Sequence, residues 1–82
     1  MKYVDAYYTK DFYSGVALRT VGFKLLQIDF NSQGIATFVF ADPDNKASQT
    51  VSKFWDRQLE ADLRTFTESI NELKSRIANR SR

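Results

Sequence analysis

The sequence predicts a small α+β domain of element order βαββαα, a three-stranded sheet with a central β-hairpin and helices packed on one face. Three observations predict it. Two runs rich in β-formers, Phe23 to Phe30 and Ile35 to Ala41, flank the turn residues Asn31, Ser32, Gln33 and Gly34. Late in the chain, Leu59, Leu63, Phe66, Ile70, Leu73 and Ile77 alternate spacings of four and three, the period of an amphipathic helix. Before the hairpin, a strand pattern passes into a helix pattern. A right-handed strand–helix–strand crossover followed by a hairpin then gives strand order 1-3-2.

The elements follow in order. Tyr3 to Tyr8 fit a strand, with Val4, Ala6 and Tyr8 on one side and Tyr3, Asp5 and Tyr7 on the other. Thr9 and Asp11 are two candidate N-caps for a helix whose stripe is Phe12, Tyr13, Val16, Ala17 and Thr20. Gly22 is placed to end it as the first residue beyond the cap. Gly15 in its middle weakens the helix by up to roughly 1 kcal/mol relative to alanine, unless it admits a close neighbour.

The hairpin register can be argued from side-chain sorting. Pairing Phe30 with Ile35 leaves both faces half apolar. Pairing Phe30 with Ala36 makes a three-residue loop, Ser32 to Gly34, with glycine where such loops need positive φ. Ile28 then opposes Phe38, Leu26 opposes Phe40 and Lys24 opposes Asp42. One face becomes Leu26, Ile28, Phe30, Ala36, Phe38 and Phe40, and the other carries Gln27, Asp29, Asn31 and Thr37 beside Leu25 and Val39. Cross-strand aromatic and branched pairs contribute roughly 0.2–1 kcal/mol each and favour this second register.

After the hairpin, Asp42, Asp44 or Asn45 can cap a helix from about Asn45 to Trp55, with Pro43 tolerable in the first turn and Ala47, Thr50, Val51 and Phe54 on one face. Asp56, Arg57 and Gln58 break it. The last helix begins at Leu59 or is capped by Asp62, and Glu72 with Arg76 forms an i, i+4 pair on its outer side.

Composition bounds what this fold can do. Residues 1–82 make one domain with a basic tail at 78–82, and a chain of this size buries only about 60% of its unfolded surface, so dimerisation would relieve a marginal core. Cysteine and histidine are absent, which removes disulfides, thiolate sites, the commonest general base and the commonest zinc ligand. No cofactor, metal or small-molecule substrate is expected. Lys2 is followed by Tyr3, Val4 and Asp5 rather than an apolar signal segment, and no run is long enough to span a membrane, so a cytoplasmic protein is expected. The net charge of +2 is unevenly placed: residues 1–73 hold eight bases against ten acids, while Lys74, Arg76, Arg80 and Arg82 make the end basic. Cations in the last helical turns complement the helix dipole.

Thr9, Asp11, Phe12 and Tyr13 open the first helix, Gly22-Phe23-Lys24-Leu25-Leu26 leads into the hairpin, Phe38-Val39-Phe40 with Asp42 leaves it, and Phe54-Trp55, Phe66, Leu73 and Lys74 follow. In these residues the chain, from about Tyr8 to Ile77, resembles a family of short uncharacterised domains in bacteria, archaea and their viruses, a domain of unknown function. The family pattern has Asn-Gly after the tryptophan where this chain has Asp56-Arg57. The resemblance implies no activity and suggests a mobile-element or small prokaryotic setting.

Three kinds of chemistry can be weighed on these residues. Asp29, Asp42, Asp44 and Lys46 have the types a Mg²⁺-dependent nuclease uses, but this register sets Asp42 against Lys24, and Asp44 is needed near a helix start. A calcium loop from Asp42 would need glycine and glutamate where Ala47 and Lys53 stand. Tyr3, Tyr7, Lys10, Lys74, Arg76, Arg80 and Arg82 could stack bases and contact phosphates of a nucleic acid. The class expected first is a non-catalytic interaction module that binds a protein partner or itself as a homodimer, with Leu25, Val39 and Trp55 left exposed as the contact patch.

Overall fold

A computed structural model describes residues 5–79. The elements are β1 (Ala6–Thr9), α1 (Phe12–Thr20), β2 (Leu25–Phe30), β3 (Ala36–Ala41), α2 (Ala47–Trp55) and α3 (Leu63–Ala78). The strands form one antiparallel sheet of order β1-β3-β2, so the expected α+β class, element order and strand order all hold.

The hairpin turn is the one argued from sequence. Asn31 and Ile35 close it, Gly34 sits at φ +81°, and the Asn31 Oδ1 accepts from the amides of Gln33 and Ile35, each at 2.9 Å. Phe30 pairs with Ala36 and Ile28 with Phe38 as expected. Beyond Gln27 the register departs from expectation. A β-bulge leaves Leu26 as the extra residue, so Leu25 rather than Leu26 opposes Phe40 and packs against the core. Lys24 consequently faces Ala41, whose amide donates to its carbonyl, and does not pair with Asp42.

The helices cover the face that carries Phe38 and Phe40. Val16, Leu18, Phe38, Phe40, Ala47 and Leu73 form the buried cluster, with Phe66, Ile70 and Ile77 of α3 packed against it. On the opposite face Tyr8 and Gln27 flank Val39, which is 0% exposed. β1 begins at Ala6, Asp5 has a left-handed backbone, and the expected positions of Tyr3 and Val4 lie outside the described residues.

Each helix has an identifiable start and stop. Asp11 caps α1 by accepting from the Ser14 amide at 2.8 Å. At its other end Gly22 (φ +104°) donates to the Arg19 carbonyl and Phe23 to the Leu18 carbonyl, a Schellman motif. The stripe expected for α1 needs correction: Tyr13 is exposed, while every residue from Ser14 to Leu18 is buried. Its middle is enclosed because α1 packs on both α2 and α3 as well as over the sheet. At Gly15 the sheet comes close, since a Cβ there would stand 3.2 Å from Cδ2 of Phe38.

α2 starts at Ala47, two residues later than expected. The Asp42 carboxylate reaches forward to accept from the amides of Lys46 (2.8 Å) and Ala47 (3.1 Å), and Asn45 turns the chain at φ +55°. The break after Trp55 is also a Schellman motif, with Arg57 held at φ +63° where glycine would be unstrained. For α3 the cap is Asp62, which accepts from both the amide and the hydroxyl of Thr65. These hydrogen bonds, the backbone one first, hold the exposed Asp62 carboxyl below its ordinary pKa. Glu72 joins α3 to α1, taking Arg19 Nε at 3.1 Å and Arg76 at 3.4 Å.

Candidate protein-interaction surface

Among the described residues the most exposed large apolar side chains, Leu63 (81%) and Trp55 (57%), bracket the link from α2 to α3. Their neighbours follow from the helix geometry. Trp55 is held at one edge, its indole Nε1 donating to the buried Ser14 hydroxyl of α1 at 3.0 Å. Its ring meets Phe54 edge-on at 5.0 Å, and Phe54 lies 6.1 Å from Phe66 of α3. The three rings form a continuous apolar strip across α2 and α3.

Beside this strip runs a groove of about 220 Å³, floored by Ala17 and Thr20 of α1 and walled by Phe54, Leu59, Leu63 and Phe66. The connecting segment alternates. Leu59, Ala61 and Leu63 line the groove, whereas Gln58, Glu60, Asp62 and Arg64 are exposed between and beside them. Leu59 and Leu63 belong to the six-residue stripe read from sequence, but that stripe outruns the core. Leu73 is fully buried, Phe66, Ile70 and Ile77 pack against the core cluster, and Leu63 on the first turn stands outside that cluster, 81% exposed. The signal for the groove was therefore present in the sequence, as two stripe positions more than the sheet can cover.

The residues expected to bind a partner fare differently. Trp55 is exposed. Val39 is buried in the central strand, and the bulge turns Leu25 toward the core, so neither offers the open surface expected of it.

The residues weighed for nucleic acid are dispersed. Tyr7 packs half-buried against the core, Lys10 is exposed beyond β1, Lys74 is exposed on α3, and Arg76 is paired with Glu72. Tyr3, Arg80 and Arg82 lie outside the described residues. Of the carboxylates weighed for metal chemistry, Asp42 is committed to the α2 amides, while Asp29 and Asp44 are exposed. Among the described residues no three acidic, histidine or cysteine side chains gather closely enough to hold a metal ion. A second cleft, of about 340 Å³, opens between the α1–β2 turn and the β3–α2 loop, with Lys24, Asp44 and Lys46 at its walls.

Comparison with known families matches residues 4–79 to the domain of unknown function DUF5659. The chain belongs to this family. No curated protein and no solved structure matches it. The DUF5659 match spans every element from β1 to α3, so the groove is formed within the family domain. Among its described residues no helix is long and apolar enough to cross a membrane.

Proposed function

We propose that this DUF5659 domain is a non-catalytic interaction module that engages protein through the apolar strip and groove between α2 and α3, in a cytoplasmic setting. One observation carries the reading. Among the described residues the two most exposed large apolar side chains share one apolar surface: Leu63 lines the groove, Trp55 meets the groove-lining Phe54 ring, and Leu59 and Phe66 extend it. Anchored aromatics beside an apolar pocket are the features from which binding energy at protein interfaces is concentrated. Trp55 fits this role because its hydrogen bond to Ser14 fixes the ring before any partner arrives, which lowers the ordering cost of association.

The test is photocrosslinking in cells with a benzophenone amino acid at position 55 and, as control, at the exposed Gln49 of α2. A covalent protein adduct at 55 and none at 49 supports the reading, whether the captured protein is another chain or a second copy. An adduct to nucleic acid, or none, overturns it.

A further inference from the structure

We infer that the occupant of the α2–α3 groove is a second copy of this chain, docked about a two-fold axis so that Leu63 of each copy fills the groove of the other. This rests on the interaction reading above and names its partner. The surface is self-complementary in shape because it carries a projection and a recess side by side. Leu63 stands out from the first turn of α3 at the rim of the groove that Ala17, Phe54, Leu59 and Phe66 enclose. An isologous dimer needs this juxtaposition, since the same patch must serve both partners. The size fits as well. An apolar cavity of about 150 Å³ already takes a six-carbon ring, so a groove of about 220 Å³ accommodates one leucine side chain.

The charges at the rim point the same way. Lys53, Glu60, Asp62 and Arg64, each next in sequence to a groove-lining residue, are exposed, two of each sign, and Arg64 pairs with Glu68 one turn on at 3.5 Å. A strongly acidic or basic partner would meet like charge at half of these positions. A copy of the same surface brings both signs, and two-fold docking lets acids of one copy face bases of the other.

The experiment is sedimentation equilibrium of the full chain over a wide concentration range, with Leu63→Glu and Tyr8→Glu as variants. Leu63 makes little contact within its own chain, and an acidic residue in the first turn of α3 suits the helix dipole, so Leu63→Glu keeps the fold; circular dichroism checks this. Wild type is expected to approach twice the 9.5 kDa chain mass. Leu63→Glu buries an unpaired charge at the axis and is expected to weaken association about a hundredfold or more. Tyr8→Glu, on the uncovered sheet face, is expected to associate as wild type does. A wild type that stays monomeric at its highest attainable concentration, or a folded Leu63→Glu that still dimerises, overturns the inference. If the chain is monomeric while position 55 crosslinks to a different protein, the second copy is wrong and the interaction reading survives. If it is monomeric and position 55 captures no protein, both fall.

Discussion

Replacing Gly15 by alanine tests the packing of α1 on the sheet in one step. In an open helix the change stabilises by about 1 kcal/mol, because alanine loses less backbone freedom on folding. Here the new Cβ would lie 3.2 Å from Cδ2 and 3.4 Å from Cγ of Phe38. Carbon atoms prefer separations of about 3.5–4.0 Å, so the ring must move by a few tenths of an ångström. Phe38 is fully buried and meets Phe12 edge-on at 6.2 Å, which leaves it little room. Overpacking of this kind costs about 1–3 kcal/mol. The cost exceeds the gain, and the expected result is a net loss of about 1 kcal/mol, or a midpoint lower by about 4–8 °C for a domain of this size. Thermal and urea melts of the two proteins give the difference. In a Phe38→Leu background the crowding is relieved, and the same substitution is expected to turn neutral or stabilising. A Gly15→Ala variant more stable than wild type with Phe38 in place would refute the close approach.

Three further outcomes follow from the helix ends. Asp42→Ala leaves the amides of Lys46 and Ala47 without their acceptor and is expected to lower stability by about 1–2 kcal/mol, while Asp42→Asn stays near wild type; chemical denaturation compares them. Arg57→Gly removes a left-handed non-glycine residue and is expected to stabilise by about 0.5–1 kcal/mol after the added freedom of the unfolded chain is counted, again by denaturation. The carboxyl of Asp62 has a folded pKa below its unfolded one, so its stabilising effect is present above the unfolded value and fades as pH falls through the folded value. The stability difference between wild type and Asp62→Ala is expected to shrink over that acid window in melts recorded at successive pH values.

The parts of the fold legible in sequence were those where one residue type answers one local demand. Gly34 and Gly22 both occupy positive-φ positions, and Asp11 caps as its spacing implied. Side-chain alternation set the turn-proximal half of the hairpin, where Phe30 and Ile28 meet Ala36 and Phe38. It failed past Gln27 because a bulge shifts the pattern by one, and Leu25-Leu26 reads as apolar in either register. Val39 was misplaced for a related reason. β3 lies between two other strands, so the flanking chains shield its outward side too, and Phe38-Val39-Phe40 is buried without alternating. The continuous burial from Ser14 to Leu18 was likewise hidden, since a helix packed on three sides shows no single stripe. The contact surface was half legible. Trp55 and the long stripe of α3 were visible, but only the point where α3 starts, at Leu63, shows that the stripe's first members lie beyond the core.

Methyl NMR of the labelled chain along a dilution series shows whether a second copy of the chain docks in the α2–α3 groove. Concentration-dependent shifts are expected at the methyls of Leu59, Ala61 and Leu63, which line the groove, with those of Ala6, Thr37 and Ala41 on the uncovered sheet face unmoved. Shifts confined to Ala6, Thr37 and Ala41, or no shift at any methyl, would contradict that docking.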